Sequence, residues 1–76
     1  GLKKDEKQGV EWLAKAAEGG HLRAQYVYGS LFEDGLSVAK DQAKAASWFE
    51  KAANGGFPMA QHALAVAYEL GQGVKK

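Results

Sequence analysis

The chain has 76 residues, ten basic and nine acidic side chains that leave a formal net charge of +1, and no cysteine. This length allows one small domain with a modest core, and the absence of cysteine excludes disulfides and thiol chemistry. The balanced charge provides no electrostatic reason to bind nucleic acid or an anionic membrane. No apolar run approaches the roughly 18 residues of a membrane span, so we expect no membrane insertion.

The first predicted helix covers about residues 5–18. Its packing positions follow helical i, i+3, i+4, i+7, i+8 spacing and are Gly9, Trp12, Leu13, Ala16 and Ala17. Asp5 is suited to the N-cap, because its carboxylate can accept a first-turn amide. Gly19-Gly20 should end the helix, since one glycine can adopt the left-handed conformation that closes a last turn. Trp12 is therefore predicted to be a core residue that anchors the helix pair.

A second helix is predicted over about residues 22–34, followed by a loop from Gly35 to Lys40. Its packing positions are Ala24, Tyr28, Leu31 and Phe32. Gly29 stands in the middle of this helix, where it costs up to about 1 kcal/mol relative to alanine. We therefore expect a close helix contact at Gly29. In the loop, Val38 is the apolar residue predicted to insert between helices, as Val74 would do 36 residues later.

The second half of the chain repeats the first with an offset of 36 residues, from Trp12 to Trp48. Helices are predicted over about 41–54 and 58–70, with Asp41 as an N-cap and Gly55-Gly56 between them. The packing positions of this half are Ala45, Trp48, Phe49, Ala52, Ala53, Ala60, Leu64, Ala67 and Tyr68. A helix–turn–helix unit that recurs at such a period indicates a helical solenoid, with consecutive helices antiparallel across the short turns.

No set of residues in the sequence supports catalysis or a cofactor. The two histidines, His21 and His62, fall at different phases of the repeat, so a metal site is disfavoured. The adjacent acids Glu33 and Asp34 point in different directions on a helix, which does not suit acid–base chemistry. The tryptophans could stack on nucleic-acid bases, but their positions in the packing stripes favour a structural role. We expect a non-enzymatic chain without a cofactor.

The residues Trp48, Lys51-Ala52-Ala53, Gly56, Ala60-Gln61, Tyr68, Gly71 and Gly73-Val74 spell a motif that appears twice in phase. This motif resembles the Sel1-like repeat, a relative of the tetratricopeptide repeat, over essentially the whole chain. The resemblance implies an all-α, right-handed α-α superhelix of four antiparallel helices in B-A-B-A order, with one full repeat at 21–56 flanked by half repeats. It also implies an interaction scaffold, found in bacterial envelope or periplasmic and signalling proteins and in eukaryotic endoplasmic-reticulum quality control.

The same resemblance implies that the helices at 22–34 and 58–70 line a concave face. The residues opposite their packing stripes are Arg23, Tyr26, Ser30, Glu33, Met59, His62, Val66 and Glu69. These positions differ between the two copies, except for the glutamates, whereas many packing positions match. We therefore predict that they form a groove for a peptide or a partner protein.

An alternative interpretation is a regulatory or targeting segment of a larger signalling protein or enzyme whose catalytic domain lies elsewhere. Two periods fall short of the roughly three repeats that a solenoid needs, and the terminal packing residues include Leu2 and Val74. We therefore expect either a segment of a longer array or end-to-end association between copies.

Overall fold

The computed structural model describes residues 4–71, apart from the side chains of Lys4 and Asp5. Within this range the chain forms four helices and no strand: α1 (Lys4–Glu18), α2 (Leu22–Asp34), α3 (Gln42–Asn54) and α4 (Pro58–Leu70). Each helix packs against the next along the chain, and the contact between α2 and α3 is the most extensive. The all-α fold predicted from the repeat is confirmed.

Local side chains and glycines set the helix ends. Asp41 is the N-cap of α3, and its carboxylate accepts a hydrogen bond from the Lys44 amide at 3.0 Å. His21 caps α2 in the same way, because its Nδ1 accepts from the Ala24 amide at 3.2 Å. Gly20 and Gly56, the second glycine of each pair, both have a φ of 94°, a conformation that side chains disfavour. The Gly-Gly turns therefore reverse the chain as predicted.

The prediction of Asp5 as an N-cap is wrong, because α1 already includes Lys4 and Asp5 lies inside the helix. An acidic residue in the first turn still stabilises a helix by interacting with its dipole. A carboxylate near a helix start is therefore compatible with either position, and the sequence pattern could not choose between them.

The core is built mainly from alanine. The buried apolar residues are Ala17, Ala24, Phe32, Ala45, Ala46, Phe49, Ala52, Ala60 and Ala67. Small side chains allow the helices to approach closely, and the two phenylalanines fill the space between α2 and α3. Val38 packs partly buried against this cluster, as predicted for the loop residue, together with Tyr28 and Trp48. The predicted equivalent residues Leu2 and Val74 lie outside the described residues.

Gly29 sits where α2 and α3 come closest. A Cβ atom added there would lie 2.9 Å from Cε1 of Phe49 and 3.2 Å from the carbonyl oxygen of Ala45. Carbon atoms prefer separations of about 3.5–4.0 Å, so a side chain at this position would clash. The close contact explains why a helix-weakening residue stands in the middle of α2.

Two predicted core residues are instead exposed. Trp12 on α1 is 75% exposed, and Tyr68 on α4 is 46% exposed, although their counterparts Trp48 and Phe32 pack in the core. The physical reason is that α2 and α3 each pack extensively against two helices, whereas within residues 4–71 α1 and α4 each pack extensively against one. Part of each terminal packing stripe is therefore exposed.

Candidate interaction surface

Phe57, the residue that precedes α4, packs beside α2. The ring of Tyr26 on α2 lies 5.5 Å from that of Phe57 and 5.6 Å from that of Phe49, centroid to centroid. Phe57 is the N-cap residue of α4 and makes no side-chain capping hydrogen bond. Aromatic pairs at such distances stabilise each other beyond the area that they bury. This three-ring cluster fixes the start of α4 next to α2.

A small cavity opens between α2, α3 and α4, with a volume of only about 10 Å³. Its walls are mostly apolar, and its lining residues are Glu33, Gln42, Ala45, Ala46, Phe49 and Ala67. Small-molecule sites typically have about 300–1,000 Å³, whereas this cavity has room for about one water molecule, so a ligand side chain would rest over it and not enter it. The half-buried carboxylate of Glu33 supplies the one charged group of the lining.

The structure separates the predicted groove residues of α2 into two groups. Arg23 is exposed and Ser30 is half-buried, with its hydroxyl donating to the Tyr26 carbonyl oxygen at 3.0 Å. Tyr26 and Glu33 instead turn towards α3, where Tyr26 contacts the core and Glu33 lines the cavity. The prediction that Tyr26 lies opposite the packing stripe is wrong, because α2 packs against helices on two sides rather than one.

On α4 the predicted groove residues are more accessible. Met59, His62 and Glu69 are exposed and Val66 is half-buried. The face of α2 that points to solvent also includes Val27, which is 37% exposed and which the sequence reading missed. Val27 lies between Arg23 and Ser30 at i+4 and i+3 spacing, so the helical period alone could have identified it.

Within residues 4–71, no three histidine, aspartate or glutamate side chains are placed to hold a metal ion together. His21 is already engaged through Nδ1 as the cap of α2. Of the helices formed by this part of the chain, none combines the length and the apolar character required to cross a bilayer.

Comparison with known proteins agrees with this geometry. The family model described as Sel1 repeat matches residues 1–21, 22–57 and 58–76. Among solved structures, a Sel1 repeat protein from Oxalobacter formigenes is similar, with a TM-score of 0.90 and 46% sequence identity over 92% of this chain. The match covers 53% of that protein, so the chain spans about half of its length. No protein of curated function matches. The chain belongs to the Sel1 repeat family.

Proposed function

We propose that this chain is a non-catalytic module that binds a peptide or a partner protein on the surface formed by α2 and α4. Sel1 repeats generally mediate protein–protein interactions and are typically non-catalytic scaffolds, which supports the general assignment. The similar protein comes from Oxalobacter formigenes, which supports a bacterial origin. The location of the surface is our own inference.

The observation that carries the proposal is the cavity between α2, α3 and α4. Phe49, Ala45 and Ala67 make its interior apolar, and the Glu33 carboxylate stands at the same site. An apolar side chain of a ligand would rest over this apolar lining, and a neighbouring lysine or arginine would pair with Glu33. The ligand that fits best is thus a segment with an apolar residue next to a basic one.

The exposed face of α2 would extend the contact beyond the cavity. Val27 offers apolar area, while Arg23 offers a charged group that can bind a carboxylate nearly three helical turns away from Glu33. On α4, Met59 adds a flexible apolar contact. Opposite charges at the two ends of the α2 face would orient a bound segment along the helix.

A peptide-display selection on the immobilised chain tests the proposal. We expect selected peptides to share an apolar residue beside a lysine or arginine, and Glu33→Lys to weaken their binding at least tenfold, as measured by calorimetry. Arg23→Ala should weaken binding less, because its guanidinium is exposed to water. A test of Tyr26 should use Tyr26→Phe, which removes only the hydroxyl, because truncation to alanine would also remove the ring that packs against Phe49 and Phe57.

The matched control is Glu50→Lys, which reverses an exposed charge on α3. Circular dichroism should show that both charge-reversal variants remain folded. Peptide binding that survives Glu33→Lys, or that Glu50→Lys removes instead, would place the binding surface elsewhere and overturn the assignment.

A further inference from the structure

The outer face of α1 exposes one large apolar side chain, Trp12, that nothing in the described chain covers. Trp12 lines an open depression together with Gln8, Glu11 and Lys15, and the volume of this depression is about 460 Å³. At the other end of the molecule, α4 exposes Tyr68 and Leu70, the latter at 60%. Exposed tryptophan and tyrosine side chains at such positions are typical of interaction surfaces.

These two faces are the repeats of two surfaces that already pack together inside the molecule. By the 36-residue offset, α1 carries the face of α3, and α4 carries the face of α2. In the internal contact, Trp48 of α3 lies 5.2 Å from Tyr28 of α2, ring to ring, and Phe32 of α2 is only 7% exposed. Within residues 4–71, α1 and α4 therefore each display one half of an interface whose complete form is the contact between α2 and α3.

We propose that two copies of this chain associate head to tail, with α4 of one copy packing on α1 of the next as α2 packs on α3. In this arrangement the partner's Leu64 replaces Tyr28 as the contact of Trp12. The contact is heterologous, because each copy uses a different face, so growth can continue beyond a dimer. The surface involved is distinct from the cavity of the proposed peptide site.

Compensating differences in side-chain size between the two faces support a second copy of this chain as the binding partner. At the centre, Gly29 leaves room for the ring of Phe49, which a Cβ atom would meet at 2.9 Å. At the ends, alanine stands at the position of Gly29 (Ala65), and leucine stands at the position of Phe49 (Leu13). The added methyl of Ala65 is matched by a shorter partner at Leu13. Gly9 replaces Ala45 at the same crossing, which provides further room.

A second pair of positions agrees with the first. In the internal contact, the side chain of Leu22 fills the space beside Gly55, which leaves no room for a Cβ atom at that glycine. The corresponding residues at the two ends are Pro58 and Gly19. The glycine is retained on α1 although a Cβ atom at Gly19 would meet only its own helix carbonyls, the nearest at 3.4 Å. A partner's Pro58 would occupy the space that Gly19 leaves open.

One pair of positions opposes association and provides a further test. Glu33 and Gln42 line the same cavity at the centre, whereas their counterparts at the ends are both acidic, Glu69 and Glu6. Two carboxylates would approach each other in the head-to-tail contact and weaken it. Glu6→Gln restores the amide found at Gln42 and should tighten association about fivefold, the effect of one close like-charge pair at water-like screening.

Sedimentation velocity of the 76-residue chain between about 1 µM and 1 mM tests the proposal, because weak contacts populate over this range. We expect the average mass to increase with concentration and to pass that of a dimer. Gly9→Arg and Ala65→Arg should each limit association, and both sites are exposed helix positions where the monomer tolerates a long side chain. Ser47→Arg, on an exposed position of α3, is the control and should associate as the parent chain does.

Mixing the two blocked variants tests the head-to-tail geometry directly. The Gly9→Arg copy keeps a free α4 face and the Ala65→Arg copy keeps a free α1 face, so the mixture should form a 1:1 dimer and stop there. A contact between two like faces would instead allow one variant to dimerise alone, which would overturn the proposal. A chain that stays monomeric at every concentration would also overturn the head-to-tail proposal. The α1 and α4 faces would then be contact surfaces for neighbouring repeats of a longer chain. If Glu6→Gln changes the association constant no more than Glu50→Gln does, Glu6 does not approach Glu69 of the neighbouring copy as proposed.

Discussion

The close approach at Gly29 leads to a prediction whose sign is opposite to that expected from helix propensity. Gly29→Ala places a methyl group 2.9 Å from Cε1 and 3.0 Å from Cδ1 of Phe49. Phe49 is 2% exposed, so its ring cannot move without displacing other buried groups. Overpacking of this kind costs about 1–3 kcal/mol, whereas alanine contributes about 0.5–1 kcal/mol through helix propensity. We expect a net loss of about 1 kcal/mol in the free energy of unfolding.

The matched control is Gly9→Ala on α1, which is also a mid-helix glycine. A Cβ atom at Gly9 would meet nothing within 4 Å, so only the gain in helix propensity remains. We expect Gly9→Ala to stabilise the chain by about 0.5–1 kcal/mol. The same substitution in an open and in a crowded surrounding should therefore act in opposite directions.

A double-mutant cycle with Phe49→Leu separates crowding from other effects of Gly29→Ala. Phe49→Leu alone removes buried ring atoms and should cost about 1–2 kcal/mol. In the double variant, the new methyl occupies space that the ring vacated, so the two changes should be less destabilising together than their sum. We expect a favourable coupling of about 1 kcal/mol. The pair would then copy Ala65 and Leu13, which the chain carries at its ends.

The assay is thermal and urea unfolding followed by circular dichroism, at a protein concentration low enough to keep the chain monomeric. A change of 1 kcal/mol shifts Tm by about 4–8 °C in a domain of this size, which is readily measured. If Gly29→Ala raises Tm as much as Gly9→Ala does, α2 and α3 do not approach as described. Strict additivity in the cycle would show that Phe49 is not the residue that limits the space at Gly29.

Three further predictions concern the caps, a loop and the tryptophans. His21→Ala should lower the free energy of unfolding by about 1 kcal/mol in urea titrations because α2 loses its cap, whereas His21→Asp should keep it; an equal loss in both would refute the capping role. Ser37 has a φ of 64°, a left-handed conformation that glycine adopts more readily than serine. Ser37→Gly should therefore increase the free energy of unfolding by about 0.5 kcal/mol and raise Tm slightly, and a lower Tm would contradict backbone strain at this position. Trp48→Ala should destabilise the monomer by about 3 kcal/mol, because the ring packs on Tyr28 and its centroid lies 4.5 Å from the Lys51 ammonium. Trp12→Ala should have almost no effect on stability, because Trp12 is exposed. Acrylamide should accordingly quench Trp12 fluorescence more strongly than Trp48 fluorescence in single-tryptophan variants, and equal quenching would refute the difference in burial.

The helices and their turns were accessible from the sequence because they depend on local chemistry. Helical spacing of apolar residues, an N-cap at Asp41 and the glycine pairs each act over a few residues. Repetition at a fixed offset then specifies a solenoid, because each unit must bury its apolar face against the next. The N-cap at His21 could not be predicted in this way, because it depends on the orientation of the imidazole ring and not on residue type alone.

The tertiary structure decided what each face of a helix meets. The repeat assigns the same role to Trp12 and Trp48, yet one is exposed and the other packs in the core, because burial depends on which helices surround a residue. The same is true of Tyr26, whose neighbours Phe49 and Phe57 come from α3 and from the residue before α4. The sequence by itself determined the helices and the family to which they belong. Only the packing of those helices showed where the cavity at Glu33 opens and which faces of α1 and α4 are exposed within residues 4–71, since both depend on contacts between residues far apart in the chain.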